Sequence, residues 1–286
     1  MTAIRRTTIR LSASSGLALL GLAALARTAL ASEPVPWGLG LQESGGPIMG
    51  WFTGLHDYML WVITLITLFV IVLLSYIVWR FNAGRNPTAS QTSHNTPLEV
   101  VWTVIPVLIL VSIAVPGFRA LYKADRAQNP DLTVKVTAHQ WYWSYLYPDA
   151  DELTFDSRMV PTDELQPGQR RLLEVDNELV VPAGKVVRVL ITSTDVIHSW
   201  FVPSIGMQRY AIPGRTMEAW FQADRPGTYY GQCNQICGTN HAFMPIAVRA
   251  VPEAEFTTWL AEAKQKFAAN GGVALRLAAA ASDAAR

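Results

Sequence analysis

Two long uncharged stretches constrain this chain more than any other feature of its sequence. Tyr58–Trp79 has 22 residues and Val100–Phe118 has 19, and neither contains a charged side chain. As helices they would be about 33 Å and about 28 Å long, which matches the hydrocarbon thickness of a bilayer. Tryptophans, which favour the headgroup layer, lie at or near the ends of both stretches: Trp51, Trp61, Trp79 and Trp102. The sequence therefore predicts a two-helix transmembrane hairpin.

The composition supports membrane segments and excludes other classes of protein. Charged residues make up 16% of the chain and apolar residues 50%, whereas an average soluble domain carries about 25% charged residues. This apolar fraction excludes a disordered chain, and two cysteines in 286 residues exclude a disulfide scaffold. The first 31 residues hold four arginines and no acid, so a total of +1 leaves −3 for the remainder. That charge argues against a nucleic-acid-binding protein.

The N-terminus has the organisation of a secretory signal peptide. Three arginines precede an apolar run, Leu11–Ala26, and residues 29–31 read Ala-Leu-Ala, which matches the small-residue cleavage pattern. We therefore expect a signal peptide over residues 1–31. Because Arg27 interrupts the apolar run, a membrane anchor that stays in place remains the alternative.

Charges around the hairpin predict its orientation. After signal cleavage the segment 32–57 starts outside, and it contains no Lys or Arg. The loop between the two spans carries Arg80 and Arg85 without an acid, which follows the positive-inside rule. Three basic residues beyond the second span run against that rule: Arg119, Lys123 and Arg126. We predict a multi-pass protein of the cell inner (plasma) membrane, with the hairpin over 58–126 and the following domain on the periplasmic side.

From residue 127 to residue 252 the periodicity changes from helical to β. Alternating or β-rich runs occur at 132–137, 186–192 and 217–221, and Pro-Gly or Pro-Ala-Gly turns separate them. Short strands at this spacing favour an antiparallel sandwich or barrel, and about 125 residues suffice for one core. Residues 253–286 are expected to form a C-terminal helix, to about residue 268, and a mobile Ala-rich tail.

Both cysteines lie in one short motif with other metal-ligating side chains. Cys233 and Cys237 are followed by His241 and Met244, and His198 follows an upstream β-rich run. A disulfide is the usual fate of two cysteines in an oxidising compartment, but closing so short a loop gains little entropy. The spacing of the histidines and the methionine instead indicates a metal site built from two loops at one end of the sandwich.

The types of ligand in this motif favour copper. Thiolate with thioether selects copper, and two thiolates can bridge two copper ions, each completed by one histidine. Met244 would be a weak ligand of one ion, and a backbone carbonyl between the cysteines, that of Gln235, can serve the other. Zinc would be satisfied by two Cys and two His without Met244. A Rieske cluster pairs each His closely with a Cys, unlike His198. Zinc and a disulfide stay open as alternatives.

With these residues the sequence resembles subunit II of a bacterial haem–copper cytochrome c oxidase over nearly its whole length. The supporting stretches, besides the copper motif, are His94-Asn-Thr-Pro-Leu-Glu99, Gln140-Trp-Tyr-Trp-Ser-Tyr145, His198-Ser-Trp-Phe-Val-Pro-Ser204 and Ala211-Ile-Pro-Gly-Arg215. The resemblance implies a mainly β exported domain, a cupredoxin-like Greek-key sandwich or barrel, after the transmembrane hairpin. It also implies a lipid bilayer, oxidase subunit I and subunit III as surroundings and partners.

The resemblance further implies a function and the residues that carry it. A binuclear copper centre would accept single electrons from cytochrome c and pass them to haem in subunit I, where oxygen is reduced and protons are translocated. The matching copper ligands are His198, Cys233, Gln235 through its carbonyl, Cys237, His241 and Met244.

Five further positions match functional residues of the family. Trp141 matches the residue through which electrons enter, and Glu99 matches the entrance of a proton path into subunit I. The acids matching the cytochrome docking surface are Asp156, Asp176 and Asp195. An acid that members usually carry is replaced by Leu146, so weaker docking or a different cytochrome is expected.

Two departures from the family pattern concern a magnesium ion at the interface with subunit I. The family usually has Glu between the cysteines, where this chain has Gln235, and an amide is a poorer ligand for a hard cation. A usual Lys-Gln-Asp before the Ala-Ile-Pro-Gly-Arg turn reads Gln208-Arg209-Tyr210 here. We expect this magnesium to be weakened or absent.

Other functions compete with the electron-input subunit. A copper subunit of a nitric oxide reductase would share the hairpin and the copper motif. A copper carrier or assembly protein would need labile, exposed ligands and would have no use for Trp141 or Glu99. A quinol oxidase subunit usually lacks the two cysteines, and nitrous oxide reductase lacks this hairpin.

Overall fold

A computed structural model of the chain describes residues 30–32, 34–88 and 90–267. Most of the predicted signal peptide and the predicted mobile tail lie outside the described residues. Residues 30–32, across the predicted cleavage position, form a short strand, β1 (Leu30–Ser32). β1 pairs in parallel with a strand of the exported domain, with Leu30 opposite Thr228.

Two long helices form the predicted hairpin. Helix α1 spans Pro47–Arg80 and α2 spans Thr96–Asp125, and both are long and apolar enough to cross a membrane. α1 starts well before the uncharged stretch, so part of the segment that was predicted to precede the hairpin is helical. Its 34 residues span about 51 Å, more than a bilayer core. α2 continues through Pro106 and Pro116.

The exported domain is a sandwich of two sheets. One sheet has the order β5-β11-β10-β7-β8 with β1 beside β10, and the other has the order β4-β3-β2-β6-β9. The strands are β2 Leu132–His139, β3 Tyr142–Tyr147, β4 Leu153–Ser157, β5 Leu179–Pro182, β6 Val186–Ser193, β7 His198–Val202, β8 Met207–Ala211, β9 Met217–Gln222, β10 Gly227–Cys233 and β11 Pro245–Val251. Residues 253–267 form the C-terminal helix α3.

The sheets are mixed, so the prediction of an antiparallel sandwich or barrel is corrected with respect to strand direction. β2 pairs with β6 in parallel, as do β5 with β11 and β1 with β10. The other ladders are antiparallel. Alternation of apolar and polar residues identifies a strand and its buried face, but it carries no information on the direction of its neighbour. The mainly β, cupredoxin-like sandwich behind a helical hairpin is confirmed.

Alternating side chains of both sheets form the core. β6 alternates half-buried and buried residues along its whole length, and the largest fully buried side chains include Trp143, Trp200 and Phe221. Each such burial contributes about 1.5–3 kcal/mol relative to exposure. The hydroxyl of Tyr147 donates to the carbonyl of Val180 at 2.7 Å, so this buried polar group is satisfied.

The helical hairpin and the sandwich are joined by several contacts. Ile48 and Met49 at the start of α1 are buried, and a Cβ on Gly206 would lie 2.6 Å from the amide nitrogen of Met49. At the end of α2, the indole Nε1 of Trp220 donates to the carbonyl of Lys123 at 3.0 Å. β7 runs from His198 to this junction over about 13 Å, so it places His198 at the opposite end of the strand.

Candidate metal centre

The candidate ligands come from two neighbouring strands and the loop that follows one of them. His198 is the first residue of β7, and Cys233 is the last residue of β10. These strands are antiparallel neighbours, and Cys233 lies opposite Trp200. The chain then makes a short loop through Cys237 and returns through residues 241–243 into β11. The pairing of β7 with β10 is therefore what brings the upstream histidine to the cysteine motif.

The side chains of this loop converge on the two thiols. The Sγ atoms of Cys233 and Cys237 are 3.9 Å apart. Cys233 Sγ lies 4.0 Å from His198 Nδ1 and 3.3 Å from the Gln235 carbonyl oxygen. Cys237 Sγ lies 3.4 Å from His241 Nδ1 and 3.6 Å from Met244 Sδ. All six predicted ligands, including the Gln235 carbonyl, thus meet in one cluster.

The donor set of the cluster fits a soft or borderline metal. Both cysteines are free thiols, so the disulfide alternative is not the state of this structure. His198, Cys233 and Cys237 place their ligand atoms within 4.8 Å of one another. Met244 is 1% exposed and lies against a thiol rather than elsewhere in the core. The thioether beside two thiols is the combination that selects copper, whereas a zinc site would leave it unused.

Burial and mutual hydrogen bonds shift the pKa values of the ligands. Burial raises the pKa of the Cys233 thiol, but hydrogen bonds, chiefly to His198, outweigh it and lower that pKa overall. Burial, together with the nearby charge of Cys233, raises the pKa of Cys237 to about 12. Burial also lowers the pKa of His198, and the hydrogen bonds to Cys233 and Asp195 more than reverse this. Of the two thiols, Cys233 is therefore the more acidic.

Asp195 fixes the orientation of His198. Its carboxylate lies 2.9 Å from His198 Nε2, which leaves Nδ1 facing the thiol of Cys233. The other carboxylate oxygen accepts the amide of Gln140 at 2.7 Å. A carboxylate on the far nitrogen of a metal-binding imidazole sets its tautomer and its basicity. From the sequence, Asp195 was expected only at the docking surface, although its position three residues before His198 was a signal for this contact.

Trp141 lies directly against the copper-motif loop. Its Nε1 donates to the Cys237 carbonyl at 3.2 Å, and Gln140 Nε2 donates to the same oxygen at 2.8 Å. Gly238 has φ +122°, and a Cβ there would lie 2.9 Å from Trp141 Cζ2. Trp143, which is fully buried in the core, donates its Nε1 to the Met244 carbonyl at 3.2 Å. Two tryptophans thus hold the loop from outside and from within.

The three predicted docking acids are all engaged within the chain. Asp156 pairs with Arg158 at 2.9 Å and accepts the hydroxyl of Ser144 at 2.6 Å. Asp176 accepts the amide of Arg158 at 2.7 Å. Asp195 contacts His198, as described. These acids are therefore less free to meet a partner than their sequence positions indicated.

Glu99 lies in the first turn of α2. Its Oε1 accepts the amide of Asn95 at 3.0 Å, while Asn95 Oδ1 accepts the amide of Leu98 at 3.2 Å. This reciprocal arrangement caps the helix. Glu99 thus has a structural role at the loop between the two spans, apart from the metal cluster.

Comparisons with known proteins agree with the arrangement of the chain. Residues 132–251 match the family described as "Cytochrome C oxidase subunit II, periplasmic domain", and residues 34–120 match its transmembrane domain. A probable cytochrome c oxidase subunit 2 of Rickettsia bellii is 48% identical over 253 residues, 88% of this chain and 94% of that protein. A Rickettsia prowazekii relative with the same description is 49% identical over 240 residues, 84% of this chain and 76% of that protein.

A solved structure is also similar to part of the chain. The periplasmic domain of subunit II of cytochrome oxidase from Bradyrhizobium japonicum is 52% identical, covers 49% of this chain and 98% of that one, and has a TM-score of 0.46. The two family matches together cover more than half of the chain, and the Rickettsia relatives cover most of it. The chain therefore belongs to the cytochrome c oxidase subunit II family.

Proposed function

We propose that this chain is the electron-input subunit of a respiratory cytochrome c oxidase, which takes single electrons from cytochrome c and delivers them toward haem in subunit I. Membership of the family makes it a copper-binding subunit of a haem–copper terminal oxidase with partner subunits. It also makes it a membrane protein whose β domain lies outside.

The observation that carries the proposal is the convergence of five side chains and one carbonyl on a pair of free thiols. Cys233, Cys237, His198 and His241 would be the strong ligands that hold two copper ions. Met244 and the Gln235 carbonyl would be the weak ligands. When bound, such a copper pair supplies a carrier that gains and loses one electron at a time.

The chain contributes rigidity to this carrier. Cys233 and His198 lie on paired strands, and Asp195 and Trp143 hold His198 and the Met244 backbone by hydrogen bonds. Ligands held this firmly move little when the charge of the site changes, which lowers the cost of reorganisation. The burial of four ligands, His198, Cys233, Cys237 and Met244, also disfavours a copper carrier, whose ligands must be exposed to exchange.

Trp141 is proposed as the residue through which electrons enter. It is half-buried, so part of its ring reaches the surface while its Nε1 contacts the Cys237 carbonyl. The path from the surface to a ligand sulfur therefore consists of the Trp141 ring, one hydrogen bond and the atoms of Cys237. This short connection is what an electron-accepting tryptophan needs.

Cytochrome c is proposed to dock on the surface around Trp141. Asp156, Asp176 and Asp195 are proposed as docking acids for a cationic partner, because such a partner is steered by negative potential. Arg158 weakens this potential by pairing with Asp156. Ile236 and Phe243 are exposed apolar side chains, at 82% and 40% exposure, and they are the sequence neighbours of the ligands Cys237 and Met244. They are proposed to add an apolar part to the surface that contacts cytochrome c.

Glu99 is proposed as the entrance of a proton path into subunit I, on the cytoplasmic side of the membrane. Its carboxylate caps α2 through Asn95, and this contact fixes its position at the start of the helix. Subunit III is proposed as a further partner. The protein is proposed to lie in the cell inner membrane, with a cleaved signal peptide over residues 1–31 and the copper domain in the periplasm.

The interface magnesium is proposed to be weak or absent. The carbonyl of Gln235 faces the thiol of Cys233 and fits copper, but the side chain is a neutral amide. A hard dication prefers carboxylate oxygens, and the Gln208-Arg209-Tyr210 stretch has no acid, while the cation of Arg209 pairs with Asp125 at the end of α2. Metal analysis of the assembled oxidase should give less than one magnesium per complex, and a stoichiometric value would contradict this expectation.

The proposed electron path is tested by Trp141→Phe in the assembled oxidase. The change keeps an aromatic ring but removes the hydrogen-bond donor to Cys237. We expect oxidation of reduced cytochrome c to slow by about tenfold or more, about 1.4 kcal/mol in activation free energy, with the copper content unchanged. Trp37→Phe, at a residue that is 98% exposed, is the matched control. An unchanged rate in Trp141→Phe would refute this path.

A further inference from the structure

A crevice opens between the two membrane helices at their extracytoplasmic ends. It has a volume of about 500 Å³ and is lined by one face of each helix. α1 contributes Trp51, Leu55 and Tyr58, and α2 contributes Arg119 and Lys123 among others. We call this cavity the outer crevice. It is separate from the metal cluster and from the loop that carries Glu99.

Two contacts between the helices close the outer crevice above and below. At the upper end, Lys123 Nζ lies 5.0 Å from the centre of the Trp51 ring, a cation–π contact. At the lower end, the hydroxyl of Tyr58 lies 2.7 Å from Ser112 Oγ. Trp51 and Tyr58 are about 10 Å apart along α1. The space between these two bridges is therefore defined by the chain itself.

The outer crevice carries two positive charges without an acid among its lining residues. Arg119 and Lys123 both line it, and both are exposed. Asp125, the acid at the end of the same helix, is occupied by Arg209 at 3.1 Å and by Arg126 at 3.8 Å. Cations at this end of a hairpin also run against the positive-inside distribution. The charge of the crevice therefore calls for an anion from outside the described residues.

We propose that the outer crevice binds an anionic glycerophospholipid from the outer leaflet. Arg119 and Lys123 would hold the phosphate, because guanidinium and ammonium groups form charge-assisted hydrogen bonds with phosphate oxygens. An acyl chain would lie along the apolar wall that contains Leu55 and Pro116. Trp51 and Tyr58 are aromatic residues of the kind that sit at headgroup level. The proposal rests on the proposed orientation of the hairpin.

The geometry favours a lipid over an acidic side chain of a partner subunit. The crevice is an apolar slot with its cations at one end, which matches a molecule with an apolar chain and one charged head. A lone carboxylate would satisfy the cations but would leave the apolar slot unfilled. Basic pockets between membrane helices bind anionic headgroups on the cytoplasmic side of membranes, and the same charge-assisted contacts are available to a phosphate of the outer leaflet.

The proposal is tested by native mass spectrometry of the assembled oxidase. Detergent-purified complex is titrated with phosphatidylglycerol or with phosphatidylcholine, and lipid adducts are counted on the unchanged protein and on the double variant Arg119→Gln, Lys123→Gln. Arg126→Gln is the matched control, because it removes one charge at the same level but its side chain, 81% exposed, is outside the crevice. We expect the double variant alone to weaken phosphatidylglycerol binding, by about tenfold or more.

Three results would overturn the proposal. Equal weakening by Arg126→Gln would mean a diffuse surface charge effect. Equal binding of phosphatidylcholine would mean that the cations do not select the ligand. Loss of a partner subunit in the double variant, with unchanged lipid adducts, would mean that the crevice holds a protein carboxylate.

A second measurement uses the unchanged protein and needs no folded variant. Phosphatidylglycerol with a photoreactive acyl chain is expected to crosslink to the peptides containing residues 51–58 and 112–123. Crosslinks confined to other segments would contradict the proposal. The copper content and copper spectrum of each preparation report separately on the electron-input function, so the two proposals can fail independently.

Discussion

The indole Nε1 of Trp141 donates a hydrogen bond to the backbone carbonyl of Cys237, with 3.2 Å between nitrogen and oxygen. This contact joins a half-buried surface residue to a candidate copper ligand. Gly238, the next residue, has φ +122° and leaves the space that the Trp141 ring occupies. The position of the tryptophan therefore depends on the absence of a side chain at one residue of the loop.

We expect Gly238→Ala to slow electron transfer from cytochrome c without loss of copper. The new Cβ would meet Trp141 Cζ2 at 2.9 Å and displace the ring, so we expect a fall in rate of about tenfold. Gly214→Ala is the matched control, because Gly214 also has positive φ, +73°, but a Cβ there meets no atom within 4 Å. Both variants carry backbone strain of about 1–3 kcal/mol. Equal rates of cytochrome c oxidation in the two variants would mean that Trp141 is not part of the electron path.

The ligands could be predicted from the sequence because their chemistry is local. Cys233, Cys237, His241 and Met244 lie within one loop, and only a few metals suit that combination of donors. The contacts of Gln140 with Asp195 and with Cys237 could not be predicted, because each joins residues far apart in the chain. Strand directions were missed for the same reason, since parallel pairing joins strands that are distant in the sequence.

We expect the charges of Arg158 and Asp156 to have opposite effects on the rate at which cytochrome c binds. Arg158 pairs with Asp156 and lies 3.6 Å over the Tyr142 ring. Arg158→Gln should free the acid and raise the association rate of a cationic cytochrome, and Asp156→Asn should lower it. Stopped-flow measurements over a salt series test this, since both effects should vanish as salt screens the charges. A rate independent of ionic strength in all three proteins would contradict electrostatic docking.

Glu99 allows its structural and its proton-transfer roles to be separated. Glu99→Gln keeps an oxygen that can accept the Asn95 amide but cannot carry a proton, so we expect slower proton uptake in the assembled oxidase with normal stability. Glu99→Ala removes both functions and should also lower stability by about 0.5–2 kcal/mol. Normal proton uptake in Glu99→Gln would contradict a role of Glu99 in the proton path and would mean that this residue only caps α2.

His139 makes stability depend on pH. It stacks on Tyr142 at 4.5 Å and contacts Ser144 and Thr194. Burial lowers its pKa below 6.5, although Asp156 and Asp195 oppose this. Near pH 6.5 His139 therefore takes up a proton in the unfolded chain but not in the folded chain. The free energy of unfolding consequently falls as the pH drops below this value. Thermal unfolding of the full chain in detergent should show a smaller loss for His139→Gln. An identical loss in both proteins would contradict this assignment.

The identity and number of the bound metal ions test the account most directly. The full chain is purified in detergent, loaded with copper, and measured by elemental analysis and electron paramagnetic resonance. We predict two coppers per chain and a hyperfine pattern from one electron shared by two equivalent nuclei. One copper with a single-nucleus pattern, or a zinc ion in its place, would contradict the central claim.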